Sequence, residues 1–329
     1  MAPSQTLPGP AERHWGVFPL FDPAAGQTVR EPLGAGPGWW VGAPSACRDP
    51  HSGQVFLCFR YRKPRELGRG VECRIAASSD GLDFADVWSA TKADLDTQSM
   101  EKSGLMVMEG RWHLYLSFVG ADGRWRIEHV VAGSPAEFDV RRRVPVLTPD
   151  DCGAEGVKDP AVYWVGGRLH MLVSYAPQPR VATSAADMHN TGDVYNTGIV
   201  KSHTGLAVSA DGETWEWAGD VMTPPETGWD CYCTRISSVL YQPPVWLGFY
   251  DGSVSVAENY EERAGLCVSA DLRRWERVST TGPCLTSPHA SGSVRYVEAL
   301  PMPDGLRYYY EYARPDGSHE LRTSFVPTP

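Results

Sequence analysis

The sequence predicts an all-β protein, a five-bladed β-propeller built from four-stranded antiparallel blades. Two repeats carry this prediction: a turn motif, and an apolar strand that ends in an aromatic residue. Composition agrees, because 12 Trp, 14 Tyr and 9 Phe accompany 33 Gly and 27 Pro. Many aromatic and many turn-forming residues are typical of large proteins made of short strands.

The turn motif reads Ser-x-Asp-(Gly/Leu)-x-x-aromatic. It occurs at residues 78–84, 209–215 and 269–275, and residues 133–138 form a degenerate copy. Asp and Gly favour a tight turn, and the aromatic residue is expected to begin the next strand and pack inward. Each copy therefore predicts a hairpin.

The second repeat is an alternating apolar strand that recurs five times. These strands end at Tyr61, Phe118, Tyr175, Tyr250 and Tyr312. Upstream of each lies another strand, which we expect to open with a basic residue. The five basic residues are Arg48, Lys102, Lys158, Arg235 and Arg295. Five such units predict five equivalent blades around one axis.

The domain organisation expected is a single domain over residues 1–329. The last unit is too short for four strands, so residues 1–44 are expected to close the ring. The segment around Trp15 to Phe21 is the candidate for the missing outer strand, which would remove an exposed edge. No window shows a convincing helical period, so almost no helix is expected.

The net charge of -10 excludes nucleic-acid binding by bulk charge. No apolar run is long enough for a membrane span or a signal peptide, so a cytoplasmic protein is expected. The eight cysteines are interpreted as buried free thiols. Cys231 and Cys233 form an isolated pair without clustered histidines, so no zinc site is expected. No other metal and no cofactor is predicted.

Carboxylates accompany most of the predicted strand openings. Asp49 follows Arg48, Glu101 precedes Lys102, and Asp159 follows Lys158, while Glu298 lies three residues after Arg295. Blade topology would bring these groups together in one funnel, where crowding raises some carboxyl pKa values as glycosidic acid/base chemistry requires. The alternative is a ring of salt bridges that fills the axis.

The tripeptides Arg48-Asp49-Pro50 and Lys158-Asp159-Pro160, with the strand patterns, resemble the five-bladed propeller glycosidases. These are glycoside hydrolase families 43, 32 and 130. The resemblance implies that Asp49 is the general base or nucleophile and that Asp159 orients the sugar and tunes the acid. Glu101 and Glu298 are the candidates for the proton donor.

Substrate-binding residues are expected at the funnel, where flat rings can pack on sugar C–H faces. The candidates are Arg48, Lys102, Lys158, Arg235, Arg295, Tyr61, Tyr175, Tyr250, Asp251 and His289. Core packing is the alternative for the aromatic residues. The long loop between Ala176 and Lys201 is expected either to cover the funnel or to be a surface excursion.

The function predicted is hydrolysis of a glycosidic bond in a small or oligomeric saccharide, without a nucleic-acid or membrane partner. A phosphorylase or another non-hydrolytic enzyme is one alternative, and a non-catalytic sugar-binding propeller is another. The number of basic residues suggests a ligand with a negative group. Alternatively, Arg235 and Arg295 pair with Asp230 and Glu298.

Overall fold

The computed structural model describes residues 19–327, and β-strands account for most of its regular structure. The twenty strands, in chain order, are β1 (Gln27–Arg30), β2 (Trp40–Arg48), β3 (Val55–Arg62), β4 (Gly70–Ser78), β5 (Ala85–Thr91), β6 (Gly104–Met108), β7 (Arg111–Val119), β8 (Trp125–Ala132), β9 (Val144–Leu147), β10 (Ala154–Val165), β11 (Arg168–Pro177), β12 (His203–Ser209), β13 (Glu216–Met222), β14 (Cys233–Gln242), β15 (Val245–Ser253), β16 (Arg263–Ser269), β17 (Glu276–Arg277), β18 (Val294–Met302), β19 (Gly305–Ala313) and β20 (His319–Pro327).

Helices are short, as the sequence predicts. The α-helices of the described part are α1 (Lys92–Leu95), α2 (Pro149–Cys152) and α3 (Ala185–His189). Single 3₁₀ turns occur at Pro23–Ala25, Arg65–Leu67, Pro135–Glu137, Val140–Arg142, Val194–Asn196 and Val256–Glu258. None of the helices in residues 19–327 has the length and apolar character needed to cross a membrane.

The strands pair in antiparallel groups of four. These groups are β2-β3-β4-β5, β6-β7-β8-β9, β10-β11-β12-β13 and β14-β15-β16-β17, with β18-β19-β20-β1 as the last. The first strands of the groups contact one another in the cycle β2, β6, β10, β14, β18 and back to β2. They therefore surround a common centre. We call the ends at which these strands begin the upper ends.

The fourth strand of the last group comes from the N-terminal part of the chain. Strand β1 pairs with β20, with Gln27 opposite Thr323. The sequence placed this strand around Trp15 to Phe21, which is wrong for Phe21, because that ring packs on Tyr308 outside any strand. Residues Trp15 to Phe18 lie outside the described part.

The turn motif folds as predicted. In the first copy, the Ser78 hydroxyl accepts a hydrogen bond from the backbone N–H of Gly81, and the Asp80 carboxylate accepts from Leu82 and Asp83. The same bonds recur in the second and third copies. In the third copy Leu272 adopts a φ of 63°, where the other copies have glycine.

A bulge marks the same point in three of the central strands. The register shifts between Gly42 and Ser45 in β2, and likewise after Lys158 in β10 and after Arg295 in β18. A residue with a left-handed backbone conformation lies within the shift in each strand. These residues are Ala43 (φ 52°), Asp159 (φ 58°) and Tyr296 (φ 51°). The three positions are therefore structural equivalents.

This register corrects the equivalence predicted for Arg48. Gly42 occupies the position of Lys158 and Arg295, whereas Arg48 is the last residue of β2. The reason is steric, since a Cβ on Gly42 would lie 2.4 Å from the Glu311 carboxylate. The first group therefore has no side chain at Gly42, and the Glu311 carboxylate of the last group occupies this part of the centre.

The apolar core is divided among the interfaces between neighbouring groups. One cluster joins the first two groups through Phe56 and Trp112, and another joins the third and fourth through Leu172 and Ile236. The sheets therefore pack face to face around a centre that is left to polar side chains.

Candidate active site

The centre holds six basic and six acidic side chains around one tyrosine. We call this set the central cluster. Its basic members are Arg60, Arg62, Lys102, Lys158, Arg235 and Arg295. Its acidic members are Glu101, Asp159, Asp251, Glu262, Glu298 and Glu311, and the tyrosine is Tyr296. All thirteen residues are buried, so the charges are shielded from bulk water.

Arg235 contacts three carboxyl groups in one half of the central cluster. Its guanidinium lies 2.9 Å from Asp251, 3.3 Å from Asp159 and 3.7 Å from Glu262. One oxygen of Asp159 (Oδ1) and one of Glu262 (Oε1) are buried without a hydrogen-bond partner among the described residues. Two carboxyl groups beside one arginine thus keep an oxygen free for another group.

Arg295 and Glu311 organise the other half. Arg295 lies 2.8 Å from Glu262 and 2.7 Å from Glu311. Glu311 also contacts Arg60 at 3.4 Å, and Arg60 lies 2.7 Å from Glu101. The ion pairs therefore form a continuous chain from Arg235 to Glu101.

Tyr296 sits where the two halves meet. The guanidiniums of Arg235, Arg295 and Arg60 lie 4.1, 5.1 and 5.8 Å from the centre of its ring. Its backbone N–H donates to Asp251 at 2.9 Å, and its hydroxyl lies 3.5 Å from Asp159. Cation–π contacts of this kind stabilise arginines that have lost their hydration.

Three carboxyl groups of the central cluster have raised pKa values. Burial raises the pKa of Asp251 to about 6, against the attraction of Arg235. Burial also raises the pKa of Asp159, although Lys158 and Arg235 oppose the shift. Burial raises the pKa of Glu298 as well. Each of these groups therefore keeps its proton to a higher pH than an exposed carboxyl group does.

Other carboxyl groups of the central cluster are held charged. Burial of Glu262 is outweighed by Arg235 and Arg295, which lower its pKa to about 2. Burial of Glu101 is likewise outweighed, mainly by Arg60, and its pKa falls below the usual range. A charged Glu101 is poorly suited to the proton-donor role predicted for it.

Glu298 and Lys102 form a separate pair further along β18. Lys102 Nζ lies 3.5 Å from the Glu298 carboxylate and 3.4 Å from the carbonyl oxygen of Pro160. Glu298 also accepts a bond from the backbone N–H of Ala46. Both predicted residues are therefore at the centre, below Asp159.

The loop between β11 and β12 covers the upper end of the central cluster. Tyr195 packs its ring 4.5 Å from Lys158 Nζ and donates to the carbonyl oxygens of Gly156 and Ser174. Asp193 accepts from Trp125 Nε1 at 3.1 Å and from the hydroxyl of Tyr260. We call Asp193–Asn196 the roof segment.

Asp49 lies in the turn after β2, not at the opening of a central strand. Its carboxylate accepts hydrogen bonds from His51 and Ser52 of its own turn. Those bonds lower its pKa, led by the Ser52 hydroxyl. The prediction that Arg48-Asp49-Pro50 opens a strand is wrong, because Ala43 occupies the position of Asp159 in β2.

The predicted aromatic residues lie between sheets rather than in the central cluster. Tyr175 packs on Trp217 and bonds Asp220, whereas Tyr250 bonds Asp230. Tyr61 is buried beside Arg74. His289 lies in the loop before β18, with its ring 6.3 Å from Tyr312. The positions of the three tyrosines agree with the core-packing alternative, whereas His289 lies in a loop outside the central cluster.

Several central residues were missed by the sequence analysis. Arg60 and Glu311 come from second strands and Glu262 from the loop before a third strand, whereas the catalytic carboxylates were predicted at first-strand openings. A signal was available, because Arg60 interrupts the apolar strand Val55–Arg62 and Glu311 interrupts Gly305–Ala313. Charges within such strands indicate buried partners.

Known structures share this fold. A glycoside hydrolase matches 92% of this chain over 93% of its own, with a TM-score of 0.65 at 12% identity. The β-1,2-mannobiose phosphorylase from Listeria innocua, solved with β-1,2-mannobiose, matches 93% of this chain over 94% of its own, with a TM-score of 0.60 at 13% identity.

A GH43_1 enzyme from Xanthomonas citri, solved with xylotriose, matches 91% of this chain over 90% of its own, with a TM-score of 0.60 at 12% identity. No family model and no curated protein matches the chain by sequence. The predicted resemblance to propeller glycosidases is thus confirmed for the fold.

Proposed function

We propose that the protein is a carbohydrate-active enzyme that cleaves a glycosidic bond at the central cluster. The observation that carries this proposal is the pair Asp159 and Glu262. Both carboxyl groups contact Arg235, their pKa values are shifted in opposite directions, and each has a buried oxygen without a partner.

The opposite shifts suggest the roles. Two carboxyl groups that flank a glycosidic bond work as acid and base only when one keeps its proton and the other does not. Asp159, with its raised pKa, is the proposed proton donor. Glu262, which stays charged, is the proposed base or nucleophile, in place of the Asp49 suggested by the resemblance. Arg235 fixes their separation.

Access to the central cluster requires movement of the roof segment. Asp159 and Glu262 are at most 1% exposed, and the rings of Tyr195 and Tyr260 pack on Lys158 and Arg62 of the central cluster. We propose that the loop between β11 and β12 opens to admit the sugar. Loops of this length in compact proteins commonly serve as active-site lids.

The ligand is proposed to be a neutral saccharide. The sequence suggested a negative group, but Arg235 and Arg295 pair with Asp251, Asp159, Glu262 and Glu311. This agrees with the alternative that both arginines form ion pairs, although their partners are not the expected Asp230 and Glu298. Each of these two arginines already contacts at least two carboxyl groups of the central cluster, so neither is free to bind a phosphate or a uronic acid.

The decisive experiment measures turnover of 4-nitrophenyl glycosides, xylotriose and β-1,2-mannobiose, with and without phosphate. Asp159→Asn should lower kcat by about 10²–10⁴-fold, the usual contribution of a positioned acid. Asp49→Asn is the matched control, because this carboxylate lies in a turn outside the central cluster and its loss should keep kcat within about twofold of the wild type.

A folded Asp159→Asn variant with wild-type turnover would refute the proposed role. Strict dependence of turnover on phosphate would instead establish the phosphorylase alternative, which the fold shared with the mannobiose phosphorylase keeps open. Substrate binding without turnover in the wild type would establish the non-catalytic alternative.

We also propose that the four-stranded groups are the five blades of one propeller domain, and that β1 is the strand that closes the ring. A cytoplasmic location also stays a proposal. It is supported by the thiols, because all eight cysteines are free.

A further inference from the structure

A depression of about 560 Å³ lies beside the upper end of β10, outside the central cluster. Arg124, Glu155, Gln178 and His189 supply polar groups, and Val181 and Met188 are part of an apolar wall. We call it the β10 depression. Its volume is within the range of small-molecule sites in proteins.

The polar side of the β10 depression contains a partly buried His–Glu pair. His189 Nε2 lies 2.8 Å from Glu155 Oε2, and Glu155 is 7% exposed. The other ring nitrogen, His189 Nδ1, is buried without a partner among the described residues, as is Arg124 Nε. A buried polar atom without a partner is costly, so such atoms favour a bound ligand or water.

The charges at the β10 depression favour a neutral ligand. Asp122, Asp150 and Glu155 outnumber Arg124 and His189, and Asp150 already holds Arg124 at 2.8 Å. An anionic ligand would meet an excess of carboxylates. Donors, acceptors and an apolar wall together match a sugar, which has a hydroxyl edge and a C–H face.

The position of the β10 depression connects it to the proposed reaction. Glu155 precedes Lys158 of the central cluster by three residues in β10. The loop between β11 and β12 forms both the apolar wall and the roof segment, and Met188 packs with Tyr195 in one apolar cluster. A ligand in the depression therefore contacts the loop that covers the central cluster.

We propose that the β10 depression binds one neutral sugar unit of the substrate, outside the position where the bond is cleaved. This inference rests on the proposed function for its place in the reaction. It assigns Glu155 and His189 to hydrogen bonds with sugar hydroxyls. They take no part in proton transfer to the scissile bond.

The test is calorimetric titration of the full chain with xylotriose, β-1,2-mannobiose and a panel of neutral monosaccharides. The wild type should bind at least one of them. Val181→Arg should weaken binding at least about tenfold, because it places a large charged side chain in the depression. Val181 is 75% exposed, so this variant should fold. Glu155→Gln should weaken binding similarly.

Two controls separate this inference from the proposed activity. Asp159→Asn should bind the sugar as the wild type does while losing turnover, and Glu213→Gln, an exposed residue of the second turn motif, should change neither. Unchanged affinity in both Val181→Arg and Glu155→Gln would overturn the inference. So would a wild type that binds none of the sugars at tens of millimolar. Binding in the depression without turnover would refute only the proposed activity.

Discussion

The substitution Asp251→Asn should change the pH dependence of stability by an amount that follows from its burial. Asp251 is fully buried and accepts bonds from Arg235 and from the backbone of Tyr296. Burial raises its pKa from 3.8 to about 6. The folded protein therefore binds a proton more tightly than the unfolded chain does.

The sign of the effect follows from proton linkage. Because the folded-state pKa is the higher one, the stabilisation that Asp251 contributes is complete below pH 3.8 and is lost as the pH rises through about 6. One pKa unit corresponds to about 1.36 kcal/mol, so the complete stabilisation that Asp251 contributes at low pH is about 3 kcal/mol. About 2 kcal/mol of it falls between pH 4.5 and 7.5.

Asparagine cannot titrate, so Asp251→Asn lacks this contribution. The free energy of unfolding of the wild type, minus that of the variant, should be about 2 kcal/mol larger at pH 4.5 than at pH 7.5. Urea unfolding followed by tryptophan fluorescence measures both values. If the difference changes by less than about 0.5 kcal/mol between the two pH values, the buried-carboxyl interpretation of Asp251 is refuted.

Two further substitutions test the central cluster and the turn motif. Glu101→Gln removes the carboxylate that two buried arginines share, so it should lower the free energy of unfolding, measured with urea, by about 3–5 kcal/mol. The control Glu213→Gln should leave that free energy almost unchanged. Gly81→Ala should lower the free energy of unfolding by about 1 kcal/mol more than Gly110→Ala does. Both glycines have a φ of 74°, but a Cβ would lie 2.9 Å from the Arg307 side chain only at Gly81. Equal losses for the two glycine variants would contradict the steric argument.

Repeats were the part of the fold that could be predicted from the sequence. The Ser-x-Asp turns and the apolar second strands depend on neighbouring residues, so their hydrogen bonds follow from local chemistry. Even the exception, Leu272 in a left-handed conformation, keeps the turn that Gly81 and Gly212 form in the other copies.

Positions set by packing between groups could not be predicted in this way. Arg48-Asp49-Pro50 resembles Lys158-Asp159-Pro160, yet the bulge of β2 falls at Ala43, six residues before Asp49. What decides the register is the space that Glu311 needs beside Gly42. This contact joins residues 269 positions apart, so no local pattern contains it.

The energetics of the central cluster favour a functional over a purely structural role. Burying ion pairs costs several kcal/mol per ion, and well-packed apolar side chains of similar volume are often as stabilising or more so. A fold that needed only a filled centre would therefore gain little from twelve charged side chains. Free oxygens on Asp159 and Glu262 add to that cost, because each lacks a partner among the described residues. In the function proposed above, a substrate that enters when the roof segment opens supplies the missing hydrogen bonds to these two oxygens.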